Sequence, residues 1–153
     1  MASKYDQAIT IFSPSGNLFQ VEYAMQAVNR GLNAVAVRTK DAIILAIQKK
    51  SVTALQDPRT VRKVLRLDNN MVMAFAGLNA DARILGNQAR LECQNYRLMY
   101  SDDPPVGHIA RFIASIQQKH TQRGGVRPVG ASIMIAGYDT DKKPRLYLTE
   151  PSG

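Results

Sequence analysis

Two apolar stretches decide the fold: residues 71–76 read MVMAFA and residues 133–136 read IMIA. Both are apolar at successive positions, whereas a strand with one face in water alternates apolar with polar residues. Both faces of these strands must therefore be covered, either by a second sheet or by helices. The sequence thus predicts a mixed α/β fold in which these strands form an inner layer.

Further strands can be placed around these two stretches. Residues 34–37 and 42–47 are predicted to be two strands joined by a tight polar turn at residues 39–41. A last hairpin is predicted near the end of the chain. Its turn covers residues 139–144 and its second strand covers residues 145–149.

Three helices are predicted from apolar residues at helical spacing. The first covers residues 18–30, with Asn17 as its N-cap and Gly31 at its C-terminal end. Asn79 opens the second helix, and residues 104–105, both proline, separate it from the third. The apolar stripes are Ile84, Leu91 and Leu98 in the second helix, and Val106, Ile109, Phe112, Ile113 and Ile116 in the third.

The last residues suggest that the fold continues. Residues 150–153 read EPSG, a turn-like sequence that normally introduces another element. We therefore expect a single domain over residues 1–153 that is incomplete at its C-terminal end, with the last hairpin unfinished. Strand residues such as Ile133 and Ile135 should then lack part of their cover, and poor solubility is expected.

The charge balance admits a nucleic-acid partner without supporting one. Twenty Lys plus Arg against twelve Asp plus Glu give a formal net charge of +8. The basic residues are scattered from Lys4 to Arg145, and no aromatic-interleaved strand or basic recognition helix accompanies them. No nucleic-acid partner is expected. A basic RNA- or DNA-binding domain stays as an alternative, which would require an affinity that falls steeply with salt.

No catalytic or metal site can be assembled from the sequence motifs. Cys93 falls within the second predicted helix, and we expect it to be packed in the core. His108 and His120 show no triad or ligand spacing, and we expect them at the surface. No metal or other cofactor is expected. The longest apolar runs, such as residues 42–47, are far shorter than the about 20 residues that a membrane helix needs, so no membrane contact is expected either.

The N-terminal residues carry the most specific pattern. Residues 5–24 read YDQAITIFSPSGNLFQVEYA, which resembles the N-terminal signature of the α-type subunits of the 20S proteasome. The resemblance continues through FAGL at 75–78 with ADAR at 80–83, through TQ at 121–122 and GVRP at 125–128 with Gly130, and through PSG at 151–153, so it covers the whole chain. Residues 55–63, LQDPRTVRK, are most similar to the type-7 branch of that family. The family extends well beyond the PSG sequence, which agrees with an incomplete domain.

The resemblance implies a fold and a role. The fold would be the Ntn-hydrolase-like four-layer αββα sandwich, of class α/β (α+β), of which this chain holds the N-terminal portion. The role would be that of a non-catalytic structural and gating subunit of the α ring, which supports ubiquitin-dependent and ubiquitin-independent protein degradation in cytoplasm and nucleus. The implied partners are other α-type subunits, β-ring subunits and the C-terminal tails of the regulatory particle or of activators.

The start of the first strand is informative about catalysis. In the catalytic β-type relatives, a threonine there attacks the peptide carbonyl and uses its own free amine as base. Here the corresponding residues are Leu32 and Asn33, and the helix at 18–30 precedes them. Neither side chain is a hydroxyl nucleophile, and no free amine is expected at this place. An active Ntn-type threonine hydrolase is the alternative interpretation.

The resemblance also implies a gating segment at residues 1–17. Within and just after it, Tyr5, Asp6, Pro14 and Tyr23 match the family's cluster that holds the open gate. Tyrosine hydroxyls can donate hydrogen bonds to a carboxylate, and proline stiffens the turn that directs the N-terminal tail. The alternative is a turn and helix that pack only against their own domain.

A second group matches the family's inter-subunit pocket for activator tails. It consists of Gly31, Lys63, Gly77 and Leu78. The lysine ammonium would pair with the terminal carboxylate of a tail, while the glycines would let the tail backbone approach closely. The alternative is that Lys63 belongs to a solvated basic face.

Overall fold

The computed structural model describes residues 8–49 and 62–153. The predictions for Tyr5 and Asp6, and those for residues 55–61, concern positions outside these ranges.

The described elements follow the predicted order, with one short strand added. β3, of three residues, has no counterpart among the sequence predictions. The elements are α1 (Phe19–Asn29), β1 (Ala34–Arg38), β2 (Ile43–Ile47), β3 (Val64–Arg66), β4 (Met71–Gly77), α2 (Asn79–Tyr100), α3 (Val106–Gln122), β5 (Ala131–Tyr138) and β6 (Pro144–Thr149).

The strands form two antiparallel sheets. β1 and β2 form a hairpin, and the second sheet has the strand order β3-β4-β5-β6. The two apolar stretches are its central pair, with Phe75 opposite Ile133. β6 pairs with β5 along its whole length, from Pro144 opposite Tyr138 to Thr149 opposite Ile133. The predicted last hairpin is therefore formed over residues 133–149, while Ala131 and Ser132 of β5 pair with β4 and extend past the end of β6.

Helices and the β1–β2 hairpin cover the four-stranded sheet. α2 contacts β4 and β5, and α3 contacts β5 and β6. β1 contacts β4 and β6, and β2 contacts β6. In β2 the exposure alternates, with Ile43 and Leu45 half-buried and Ile44 exposed. The described residues thus form a helical layer and two sheet layers, in agreement with the predicted N-terminal portion of an αββα sandwich.

The core lies between the four-stranded sheet and the helices, and it corrects one prediction. Ile133 and Ile135 are fully buried in it, because α2 and α3 cover that face. The expectation that these two residues lack cover is wrong. Exposed apolar side chains include Val35, Val37 and Ile44 of the β1–β2 hairpin, which are more than half exposed.

The buried face of α2 differs from the predicted stripe. Ile84, Leu91 and Leu98 are exposed, at 59%, 66% and 84%. The buried positions are instead mostly small: Ala82, Leu85, Gly86, Ala89 and Cys93. Both sets recur at helical spacing. The set of small residues is the buried one, because it lets the helix approach the sheet closely. A Cβ on Gly86, for example, would lie 2.9 Å from Leu65 Cδ1.

The other stripe and the cysteine agree with the sequence. Val106, Ile109 and Ile113 are fully buried on α3. Cys93 is fully buried, and burial raises the pKa of its thiol to about 11. At neutral pH such a thiol is protonated and has little nucleophilic character, so the predicted packing role is confirmed.

Burial of Ile133 against the helices generates a first prediction. Ile133→Ala should lower the free energy of unfolding by about 2–5 kcal/mol, since it leaves a cavity in a packed core. The matched control is Ile44→Ala on the exposed face of β2, which should cost about 0.5 kcal/mol or less. Denaturant unfolding followed by circular dichroism measures both. Equal losses for the two variants would contradict this assignment of faces.

Candidate functional site

Three of the four residues predicted for the tail pocket meet where α1 ends beside the end of β4. Gly31 follows Arg30, the right-handed C-cap of α1, and its amide donates to the Val28 carbonyl at 2.8 Å. A Cβ on Gly31 would lie 2.5 Å from the backbone nitrogen of Gly77 and 2.8 Å from the Val28 oxygen. Gly31 is therefore required by close backbone approach rather than by a left-handed helix end.

Gly77 and Leu78 form the other side of this meeting point. Gly77 has φ +104°, and a Cβ there would collide with the carbonyl oxygen of Gly130. The next amide, that of Leu78, donates to the same oxygen at 2.9 Å. The Leu78 side chain is 45% exposed. The structure thus brings Gly31, Gly77 and Leu78 together as two glycine backbones beside an accessible apolar side chain.

Lys63 is a buried cation close to this end of the sheet. It immediately precedes β3, where Val64 lies opposite Ala74, so it lies towards the end of β4 that leads to Gly77. The residue is 8% exposed, and desolvation lowers the pKa of its ammonium below the ordinary value of 10.5. Over residues 8–49 and 62–153, no hydrogen bond or ion pair holds this ammonium. A buried ammonium is costly unless an anion accompanies it, so this setting favours an anion beside Lys63.

The burial of Lys63 bears on the alternative that this lysine belongs to a solvated basic face. A lysine on a solvated basic face keeps its side chain in water, whereas Lys63 is almost fully covered. Lys63 therefore does not belong to such a face.

The turn around Pro14 is tightly closed by backbone hydrogen bonds. The Gly16 amide donates to the Ser13 carbonyl at 2.8 Å, and the Ser13 amide donates to the Asn17 carbonyl at 2.9 Å. Pro14 thus occupies the second position of a β-turn, which its fixed φ favours. The Asn17 amide donates to Ser13 Oγ at 3.0 Å. The predicted N-cap role of Asn17 is wrong, because Leu18 is the N-cap of α1 and no side chain caps it.

Tyr23 lies on α1 at the surface. It is 44% exposed, and its ring stacks on Phe19 with centroids 6.3 Å apart. Because Tyr5 and Asp6 lie outside the described residues, the predicted gate cluster is represented here by Pro14 and Tyr23.

Sequence reasoning missed an ion pair that anchors Gly130. Arg127 donates to both carboxylate oxygens of Asp81, from Nη1 at 2.7 Å and from Nη2 at 2.8 Å. The Gly130 amide donates to Asp81 Oδ2 at 3.0 Å. These bonds, led by those from Arg127, hold the pKa of Asp81 below its usual value although burial opposes the shift. Both residues stand in the motifs that carry the family resemblance, which was the available signal.

The histidines lie at the edge of the core rather than fully at the surface. His120 is half-buried, donates from Nδ1 to the Ile116 carbonyl at 2.8 Å, and borders a cavity of about 390 Å³ beside Asp81 and Arg127. His108 contacts Glu92 at 2.9 Å. Within the described ranges, no group of three or more His, Cys, Asp or Glu could hold a metal ion. In the same part of the chain, no helix has the length and apolar character to cross a membrane.

The residues at the start of β1 do not form a nucleophilic site. Asn33 precedes the strand, its backbone amide donates to Gln48 Oε1 at 3.3 Å, and its carbonyl accepts from the Gln48 amide at 2.9 Å. This nitrogen is a peptide amide joined through Leu32 and Gly31 to α1, so it cannot act as a free amine base.

Comparison with known proteins gives two family matches that together cover residues 5–153. Residues 28–153 match the family profile of proteasome subunits, and residues 5–27 match the profile of the N-terminal signature of A-type proteasome subunits. The chain is 55% identical over 152 residues to the alpha type-7 proteasome subunit of Dictyostelium discoideum, covering 99% of this chain and 61% of that protein. It is 55% identical over 153 residues to the alpha type-8 proteasome subunit of Mus musculus, covering 100% and 61% respectively. The chain therefore spans about three fifths of the length of these curated relatives.

The close approach of Gly31 to Gly77 generates a second prediction. Gly31→Ala should destabilise the fold by about 1–3 kcal/mol, because the new methyl group meets backbone atoms that cannot rotate away. The control is Gly124→Ala, since nothing lies within 4 Å of a Cβ at that position. Calorimetric melting of both variants is the measurement. A Gly31→Ala variant as stable as Gly124→Ala would contradict the close packing.

Proposed function

The chain belongs to the proteasome subunit family, and from this we propose that it is a non-catalytic structural and gating subunit of the α ring of the 20S proteasome. The observation that carries the proposal is the α-type N-terminal signature over residues 5–27. In this role the chain supports ubiquitin-dependent and ubiquitin-independent protein degradation, in the cytoplasm and the nucleus.

The absence of catalysis is proposed from the start of β1. A threonine hydrolase of this fold needs a hydroxyl nucleophile whose own amine is free. Leu32 and Asn33 occupy that place, and the Asn33 nitrogen is an amide engaged with Gln48. The contribution of the chain to degradation is therefore assembly and control of access, and peptide cleavage falls to the β-ring partners.

The gating role is proposed for the segment ahead of α1. The Ser13–Asn17 turn gives the chain a fixed direction just before the helix, since two backbone bonds and Pro14 restrict it. Tyr23 is 44% exposed on α1, and a tyrosine hydroxyl can donate a hydrogen bond to a carboxylate. We assign Tyr5 and Asp6 to the same gate cluster on the sequence signature alone.

The docking role is proposed for the pocket at Gly31, Lys63, Gly77 and Leu78. Its ligand is the C-terminal tail of an activator or of the regulatory particle. The desolvated Lys63, which has no partner within the described ranges, supplies the charge for a tail carboxylate. The two glycines let segments of the chain's own backbone approach closely beside the accessible Leu78 side chain. A neighbouring α-type subunit completes the pocket in the ring.

Assembly without cleavage is the third prediction. The natural protein, co-expressed with the other α-type subunits and without β subunits, should enter a heteromeric ring that native mass spectrometry detects. That ring should leave fluorogenic peptides intact. A chain that stays outside every ring contradicts the structural role. Turnover by the purified ring, with labelling of this chain by a threonine-directed inhibitor, would establish the rival hydrolase.

The fourth prediction concerns tail docking in the assembled particle. Lys63→Ala should weaken binding of a tail peptide at this pocket by about 10- to 150-fold, because it removes a charge-assisted bond worth roughly 1.5–3 kcal/mol. Lys63→Arg should also weaken binding, since a forked guanidinium does not replace a compact ammonium. Fluorescence polarisation measures both, and the control is Lys40→Ala in the exposed turn of the first hairpin. Unchanged binding in Lys63→Ala would remove the docking role.

The pH dependence of tail-peptide affinity gives a second readout for the Lys63 variants. A tail carboxylate binds the protonated ammonium, so affinity should fall as pH rises through the pKa of the free Lys63. Desolvation lowers that pKa below 10.5, and the loss should therefore begin at a lower pH than for an ordinary lysine. Lys63→Ala should show no such alkaline loss, because the titrating group is gone.

A further inference from the structure

Gly130 is held on both sides by one short segment of the chain. Its carbonyl accepts from the Leu78 amide at 2.9 Å, and its amide donates to Asp81 Oδ2 at 3.0 Å. A Cβ on Gly130 would lie 2.8 Å from Leu78 Cδ1. The place of Leu78 is thus tied to Gly130 through the backbone and through the Leu78 side chain.

The orientation of the Asp81 carboxylate depends in turn on Arg127. The carboxylate is 11% exposed and sits in the first turn of α2, while the guanidinium is 63% exposed and covers it with two bonds. A bidentate pair of this kind fixes geometry as well as charge. Loss of Asp81 would free Gly130 from α2 on its amide side and leave only the bond to Leu78. Loss of Arg127 would remove the two bonds that orient the carboxylate that Gly130 donates to.

We infer that Asp81 and Arg127 are positioning residues for the proposed tail pocket, which act through Gly130 to hold Leu78 and Gly77 in place. Neither residue needs to touch the tail. The inference rests on the proposed docking function, and it assigns the pocket's shape to an ion pair whose partners are far apart in sequence. The depressed pKa of Asp81 is consistent with a carboxylate that stays charged in this role.

The chain offers a closely matched pair for comparison. Asp139 also accepts one backbone amide, from Val106 to Oδ1 at 2.9 Å, and one arginine, from Arg145 Nε to Oδ2 at 2.9 Å. Its side chain is 21% exposed. Asp139 lies at the β5–β6 turn, so its loss should cost comparable stability without touching Gly130. A merely structural role predicts equal effects at the two sites, and a positioning role does not.

The experiment compares Asp81→Asn with Asp139→Asn in the assembled particle. Tail-peptide affinity should fall about 2- to 30-fold in Asp81→Asn, the range seen for residues that act on a site without contacting its ligand. The Leu78 amide should also exchange its hydrogen faster. Asp139→Asn should leave both readouts unchanged while lowering the melting temperature. Arg127→Lys, which keeps the charge and loses the fork, should show a smaller loss and serves if Asp81→Asn fails to fold.

Three outcomes would overturn the inference. Equal loss of tail binding in Asp139→Asn would make the effect one of general stability. Unchanged tail binding in Asp81→Asn and Arg127→Lys would show that the ion pair does not shape the pocket. Tail binding that is unchanged in Lys63→Ala would instead contradict the docking function itself. That last failure is distinguishable, because faster exchange at Leu78 in Asp81→Asn is read without any tail.

Discussion

The fold depends on a place where three backbone segments come closer than side chains allow. Gly31, Gly77 and Gly130 lie there in succession, and a Cβ on any of them would press into a neighbour. Because these contacts join the end of α1, the end of β4 and the start of β5, they fix how the first helix sits against the central sheet. The accessible Leu78 is held at this crossing through its amide bond to Gly130.

Local patterns predicted the elements better than they predicted the faces. Continuous apolar runs identified β4 and β5, since a strand covered on both sides has no polar positions. The stripe on α2 misled because Ile84 and Leu91 are as regular as the small residues that are actually buried. Hydrophobicity alone cannot decide between two stripes when close packing favours the smaller one. The prediction for Ile133 was wrong because its cover comes from α2 and α3, and the sequence does not say which face those helices take.

The family resemblance identified the residues of the candidate site, and the structure shows their burial and their hydrogen bonds. Nothing near Lys63 in the sequence marks it as buried, although it is 8% exposed in the fold. The pair formed by Asp81 and Arg127 could not be predicted, because it spans 46 positions and periodicity carries no information at that range. The glycines show the same limit. Local sequence predicts Gly31 as a helix end, yet its requirement is set by Gly77.

The central claim is that this crossing accepts a carboxylate. The most direct test uses two tail peptides that differ only in a C-terminal carboxylate or amide, titrated into an assembled particle in which the Leu78 methyl groups are labelled for NMR. The account predicts that the acid binds at least about 10-fold more tightly than the amide and shifts the Leu78 signals. Equal affinity for the two peptides, or Leu78 signals that do not move at saturation, would contradict it.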